Sequence, residues 1–133
     1  MAHCPDSNFF LGSGRFDIRA PQSRGVAVAL GSDVAAGRSF SLRRAMASAY
    51  DNALCLQAEV PLDDLFEAAT LGGARALGWA EQIGSLEVGK EADAVAFRLQ
   101  HPPTSKEHAL AQLIFDTDAC AVERVFVRGR VLR

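Results

Sequence analysis

The apolar positions in the first third of the chain are concentrated in one continuous run. Val26–Leu30 is rich in Val and Ala and lies between two glycines. A short apolar run bounded in this way is typical of a strand buried on both faces. Before it, residues 5–14 are rich in Pro, Ser, Asn and Gly and are predicted to form a loop. Residues 14–24 have a weak helical pattern that Pro21 limits.

A helical repeat of apolar residues follows. The positions that recur at helical spacing are Leu42, Met46, Tyr50, Ala53 and Leu54. Ser39 or Ser41 can cap this helix, which is expected to extend to about Gln57. A further helix is predicted with Pro61 in its first turn, where proline is well accommodated. The Gly72-Gly73 pair is expected to break or kink it.

The last third of the chain has shorter patterns. A helix is predicted over Lys106–Phe115, between strand candidates at Asp93–Leu99 and Glu123–Arg128. Gly129-Arg130 is predicted to turn the chain before Val131-Leu132. The change of pattern near residue 80 predicts two structural units, residues 1–80 and 81–133.

Composition excludes several classes of function. The 133 residues are 49% hydrophobic and 23% charged, which is ordinary for a globular protein. The net charge of -2 gives no support for binding nucleic acid or an anionic membrane. No apolar stretch approaches the roughly 20 residues that a membrane span needs. A cytoplasmic location is therefore expected.

The cysteines and histidines form no recognisable ligand set. The three cysteines are Cys4, Cys55 and Cys120, and the three histidines are His3, His101 and His108. An odd number of widely spaced cysteines argues against a disulfide framework and predicts reduced thiols. The histidines form no His-x-His pair, so three unrelated histidines is the favoured interpretation.

Asp33 is the acid with the most informative position. It follows the apolar run within Gly31-Ser32-Asp33-Val34. The carboxyl end of a buried strand is where α/β enzymes place catalytic groups. Aspartate is also common as a cap of a helix or turn. Spacing alone leaves both interpretations open.

Ser7 and Asn8 lie in the predicted loop over residues 5–14. A polar loop at this edge of a sheet can contact substrate or brace the site. The alternative is that Asn8 satisfies backbone groups of the loop. Arg43 and Arg44 are expected on the solvated side of their helix.

Several motifs together resemble the carboxyl-terminal part of guanine deaminases, in the metal-dependent amidohydrolase superfamily. The more specific motifs are His3-Cys-Pro-Asp-Ser-Asn8, Phe10-Leu-Gly-Ser-Gly14 and Leu30-Gly-Ser-Asp-Val34. The segments Ala69–Gly78 and Ile83–Asp93 also match, and the latter marks the superfamily rather than a substrate. The resemblance covers essentially the whole chain.

The resemblance implies an α/β fold that is incomplete in these residues. Val26–Leu30 would be the last strand of a (β/α)8 amidohydrolase barrel, followed by helices. The closing segment Val125–Leu132 would be a hairpin of a small β-sandwich-like domain. An isolated strand pair would expose its edges, so the chain by itself is expected to fold poorly or to form a homo-oligomer.

The resemblance also implies a chemistry. Asp33 would ligate one metal ion, usually zinc, take a proton from the attacking water and pass it to the leaving amine. The other metal ligands and the residues that hold the purine would precede this chain. The complete enzyme would convert guanine to xanthine and ammonia, and the isolated chain would have little activity. Alternatives are a related amidohydrolase acting on another purine, a pterin or a triazine, and a non-catalytic interaction module.

Overall fold

A computed structural model describes residues 1–132 as an α/β chain. The helices are α1 (Pro5–Leu11), α2 (Arg19–Gln22), α3 (Leu42–Cys55), α4 (Leu62–Ala69), α5 (Leu71–Leu77) and α6 (Lys106–Phe115). The strands are β1 (Ala2–His3), β2 (Ala29–Leu30), β3 (Ala94–Arg98), β4 (Ala121–Val127) and β5 (Arg130–Val131). No helix in the described part of the chain is long and apolar enough to cross a membrane.

The strands form two small sheets. β1 and β2 are parallel, with Ala2 opposite Ala29 and His3 opposite Leu30. β3, β4 and β5 form an antiparallel sheet in that order, with an irregularity between Ala96 and Phe97. Because the strands of the first sheet run in the same direction, their carboxyl ends meet at one edge.

The core lies between the first sheet and the helices. α3 buries Ala45, Met46, Ala49 and Ala53. Leu65 of α4 and Ile114 of α6 are fully buried in the same cluster, which also contains Val28 and Leu30. The predicted apolar face of α3 is confirmed at Met46 and Ala53 but is wrong at Leu42 and Leu54, which are exposed because the small residues Ala45 and Ala49 face the core instead. Ser41 rather than Ser39 caps the helix by accepting from the Arg44 amide. The helix predicted over Lys106–Phe115 is confirmed at both ends.

The predicted loop over residues 5–14 is wrong, since α1 occupies most of it. Pro5 stands at the first helical position, where its missing N–H is not needed. Gly12 ends the helix with a φ of 65°, a conformation that glycine adopts without strain. Ser7 and Asn8 therefore lie on a helix rather than in a loop.

Two other predicted elements are shorter than expected. Of the run Val26–Leu30, only Ala29–Leu30 (β2) pairs as a strand, opposite Ala2–His3. Of residues 14–24, only α2 is helical, and Pro21 lies inside it. The turn between β4 and β5 lies at Arg128-Gly129, one residue before the predicted position.

The helix break near Gly72-Gly73 occurs instead at Thr70, between α4 and α5. Gly72 has a different function in packing. A Cβ atom there would lie 2.8 Å from the Val28 carbonyl oxygen, so the glycine lets α5 approach the segment before β2.

Arg43 is not solvated as predicted, because its guanidinium binds the second half of the chain. It donates to the carbonyl oxygens of Leu113, Asp116 and Cys120, at 2.6, 3.1 and 2.8 Å. It also lies 4.9 Å from the ring centroid of Phe97. This side chain links α3 to residues beyond the predicted boundary near residue 80, and that boundary remains a prediction.

Candidate active site at the strand ends

The candidate site lies where β1 and β2 end side by side. α1 begins directly after β1, and Asp33 follows β2 by three residues. The Gly31 amide donates to the His3 carbonyl oxygen at 2.9 Å, so the two chain segments leave the sheet together. This arrangement brings the first turn of α1 beside the loop that carries Asp33.

Ser7 and Asp33 are in direct contact. The Ser7 hydroxyl donates to Oδ2 of Asp33 at 2.7 Å, and Ser7 is 2% exposed. Asp33 itself is exposed, so Oδ1 of the carboxylate is left for another partner. Asn8 is half-buried, and in the described part of the chain its side chain makes no comparable contact. Sequence reasoning singled out all three residues, but only tertiary structure pairs Ser7 with Asp33.

The backbone at Asp33 is unusual. Its φ is 46°, in the left-handed region that few residues other than glycine adopt. Aspartate and asparagine are better tolerated there than most side chains, because they can bond locally. Held by its neighbours, such a conformation is often found at functional sites. Asp33 does not cap α3, since that position belongs to Ser41.

Gly37 closes the loop behind Asp33. Its amide donates to the Asp33 carbonyl oxygen at 2.6 Å. A Cβ atom at Gly37 would lie 1.7 Å from the Ser32 carbonyl oxygen, a distance at which two atoms cannot coexist. Only glycine fits this position, and the closed loop fixes the backbone of Asp33.

Asp6 is a functional candidate that the sequence did not single out. Its side chain is 5% exposed and is paired with Arg38 and Arg44, at 2.5 and 3.3 Å. The hydrogen bond from the Arg38 side chain is the main cause that lowers the pKa of Asp6 to about 2. The sequence contains an acid in the first turn after β1 and an arginine directly after Gly37. Nothing in the linear order shows that these two residues form a pair, so only the tertiary structure identifies it.

His3 is the last residue of β1, and Cys4 directly precedes α1. His3 is 3% exposed, its Nε2 atom has no hydrogen-bond partner among residues 1–132, and its ring lies 5.0 Å from that of Phe16. Burial lowers the pKa of His3 to about 4, so the imidazole is neutral at pH 7. Burial, and secondly the charge of Asp33, raise the pKa of the Cys4 thiol. Both groups are therefore uncharged near Asp33 at neutral pH.

The described residues offer one candidate metal ligand, Asp33, rather than a set. No group of three or more His, Cys, Asp or Glu side chains within residues 1–132 could hold a metal ion. Oδ1 of Asp33 fits the oxygen ligand that zinc accepts from a carboxylate. Zinc sites need further ligands, and these would have to come from outside the described residues.

The sequence matches the Amidohydrolase family over residues 1–132, and the chain belongs to this family. It is 38% identical to the guanine deaminase of Escherichia coli K12 over 128 residues. That match covers 96% of this chain and 28% of the relative. It is also 34% identical over 140 residues to a 5-methylthioadenosine/S-adenosylhomocysteine deaminase of Moorella thermoacetica, covering 99% of this chain and 32% of that protein. The chain thus spans about a third of the length of the curated relatives it matches.

Solved structures agree with the sequence matches. The E. coli guanine deaminase superposes with a TM-score of 0.91 at 31% identity, over 99% of this chain and 33% of that chain. A guanine deaminase from C. acetobutylicum with guanine bound in its active site gives 0.80 at 25% identity, over 99% and 33%. A zinc-bound adenosine deaminase from Xanthomonas campestris gives 0.75 at 37% identity, over 98% and 31%. The expected α/β class and the resemblance to guanine deaminases are confirmed, and the described residues form part of the amidohydrolase fold.

Proposed function

We propose that these residues are the carboxyl-terminal part of a zinc-dependent guanine deaminase, which hydrolyses guanine to xanthine and ammonia. The observation that carries the proposal is the carboxylate of Asp33, held by Ser7 at the carboxyl edge of the parallel strands. The similarity to guanine deaminases over nearly the whole chain points to the same reaction. β1 and β2 would be the last two strands of a (β/α)8 barrel, whose active sites lie at this edge.

Asp33 has the chemical properties that this reaction needs. Replacing an amino group by water requires that the water lose a proton and the leaving amine gain one, and a carboxylate can do both. A bound zinc ion supplies the nucleophile at neutral pH by lowering the pKa of its water to about 7. Ser7 donates one hydrogen bond to Oδ2 of Asp33. Oδ1 would therefore remain to bind the metal, and the second lone pair of Oδ2 would receive and pass on the proton.

The remaining groups of the site would come from outside these residues. The other metal ligands and the residues that hold the purine belong to the part of the fold that this chain does not cover. Large apolar side chains are exposed, including Phe10, Phe40 and Leu86, at 60, 82 and 78%. β1 and β2 each have one neighbour within the described residues. We propose that the rest of the barrel covers these surfaces, and that the cytoplasmic enzyme is a homo-oligomer.

A second candidate is a related purine deaminase. The relatives include a 5-methylthioadenosine/S-adenosylhomocysteine deaminase, and the solved structures include an adenosine deaminase. Asp33 and Ser7 would serve the same proton transfer in these enzymes. The two candidates differ in the residues that contact the purine, and guanine deaminase is preferred because the E. coli enzyme superposes best of the three structures compared above.

A hybrid enzyme tests the proposal. Residues 1–133 replace the matching carboxyl-terminal segment of the E. coli guanine deaminase, which supplies the rest of the fold. Loss of guanine is followed by ultraviolet absorbance. Because the purine pocket of the hybrid comes from the E. coli enzyme, this assay tests the role of Asp33 and not the choice between the two candidate substrates. We expect guanine turnover that Asp33→Asn reduces by at least about a thousandfold. Asparagine tolerates the same backbone conformation and its oxygen can accept from Ser7, but it has no negative charge and cannot take up a proton. Turnover that survives Asp33→Asn would contradict the proposal.

A further inference from the structure

Asp33 is part of a closed ring of contacts that also includes Ser7, Asp6, Arg38 and Gly37. Ser7 binds its Oδ2 atom, and Gly37 binds its carbonyl oxygen. The neighbours of these two residues, Asp6 and Arg38, bind each other. Ser7 therefore holds the side chain of Asp33, and Gly37 holds its backbone. The residues next to Ser7 and Gly37 are joined by a single ion pair, Asp6–Arg38.

Arg38 binds the carboxylate of Asp6 through both its backbone amide and its side chain. The Arg38 amide donates to Oδ2 of Asp6 at 2.8 Å, and Nη2 of its guanidinium donates to Oδ1 at 2.5 Å. Arg44 and Ser48 of α3 also donate to Oδ1, at 3.3 and 3.5 Å. A single buried carboxylate thus joins α1, the loop that carries Asp33, and α3. A charge-assisted contact of this kind with low exposure is stronger than an exposed ion pair.

The two members of the pair differ in burial. The side chain of Asp6 is 5% exposed, whereas that of Arg38 is 48% exposed. The buried member of the pair, Asp6, lies on α1, and the half-exposed member, Arg38, lies on the loop that carries Asp33. Removing Asp6 would release both the amide and the guanidinium of Arg38, and with them the end of the loop next to Gly37.

We propose that Asp6 and Arg38 are positioning residues for Asp33, an inference that rests on the proposed function. They touch no reacting atom. By holding the loop against the first turn of α1, they keep the Asp33 carboxylate where Ser7 can bind it. Residues that orient a metal ligand in this way commonly change activity or metal affinity by about 10- to 100-fold.

The test uses the hybrid enzyme with Asp6→Asn, Arg38→Gln and both changes together. The matched control removes another ion pair, Arg98–Glu123, which is exposed and lies in the sheet of β3 and β4. Three quantities are measured for each protein: kcat and KM for guanine, the zinc dissociation constant by chelator competition, and the visible spectrum of the Co²⁺-substituted protein. The thermal midpoint of the metal-free protein is recorded alongside.

We expect each single variant to lower kcat and weaken zinc binding by about 10- to 100-fold, with KM changed by less than about threefold. The kcat and zinc affinity of the double variant should lie within about threefold of those of Asp6→Asn, because both substitutions remove the same contact. The Co²⁺ spectrum should change in the variants and stay unchanged in the control. If Asp6→Asn prevents folding, Arg38→Gln decides the question, since its side chain is half exposed.

Two results would overturn the inference. In the first, the zinc affinity and kcat of the Asp6 and Arg38 variants equal those of the Arg98→Gln control. The other is a lower thermal midpoint with unchanged zinc affinity and Co²⁺ spectrum, which would make the pair merely structural. If the unmodified hybrid binds zinc but does not deaminate guanine, the proposed function fails. The zinc and Co²⁺ comparisons then still decide the positioning inference.

Discussion

The hydroxyl of Ser7 and Oδ2 of Asp33 lie 2.7 Å apart although 26 positions separate them in the chain. The contact depends on two parallel strands that end at one edge, one followed by a helix and the other by a loop. In the proposed function, the same carboxylate would bind the metal through Oδ1. The predictions below depend on this arrangement or on the contacts that support it.

The first prediction concerns Ser7. In the hybrid enzyme, Ser7→Ala should lower kcat by about 10- to 100-fold, because the Asp33 carboxylate loses the donor that orients it. The effect should be on kcat more than on KM. Steady-state kinetics with guanine check it, and Ser23→Ala is the control because Ser23 donates only to the Ala20 carbonyl oxygen in an exposed turn. Equal rates for the two variants would contradict the prediction.

The second prediction concerns the dependence of stability on pH. The folded-state pKa of His3 is about 4, below the ordinary value of 6.5. Above pH 6.5 the imidazole is neutral in the folded and the unfolded state, so its burial does not make the free energy of unfolding depend on pH. As the pH falls from 6.5 to 4, the unfolded state takes up a proton that the folded state does not. The free energy of unfolding should therefore fall by about 3 kcal/mol over this window and then level off.

Urea unfolding of the hybrid enzyme between pH 4 and 7 measures this effect. His3→Leu should make the fall in unfolding free energy over this window smaller by about 3 kcal/mol, since leucine does not titrate. His101→Gln should leave it unchanged, because His101 is exposed. An unaltered slope in His3→Leu would show that another group is responsible.

The third prediction concerns Gly37. Gly37→Ala should abolish deamination and lower the thermal midpoint, because the new Cβ atom would overlap the Ser32 carbonyl oxygen and open the loop behind Asp33. Gly73→Ala is the matched control. Its Cβ atom would meet nothing closer than 3.9 Å, and alanine favours the helix by about 0.5 to 1 kcal/mol. Differential scanning calorimetry and the guanine assay separate the two variants.

The fourth prediction concerns Arg43. Arg43→Lys should lower the free energy of unfolding by about 1 to 3 kcal/mol, because one ammonium group cannot reach three carbonyl oxygens as the guanidinium fork does. Hydrogen exchange of residues 116–127 should become faster. Arg98→Lys, on the exposed pair with Glu123, should change neither quantity. Exchange rates that match this control would show that Arg43 does not link the two parts.

Some of the fold follows from local pattern. α3 and α6 were predictable because each has an apolar repeat and a serine whose side chain accepts from the first turn. α1 was not, because its first half is polar and its buried residues besides Pro5 are Asp6 and Ser7. A helix whose polar side chains bind partners elsewhere has no periodic apolar signal to read.

The sequence by itself determined the family, the acid that follows the apolar run and the two longest helices. These depend on residue type and on spacing over a few turns, which the linear order contains. Only the tertiary structure decided that Ser7 binds Asp33 and that Asp6 binds Arg38. It also decided that Arg43 reaches three carbonyl oxygens some 70 positions away. Those contacts follow from the parallel pairing of β1 with β2 and the packing of α3 against its neighbours, and loop closure between distant segments leaves no local pattern in the chain.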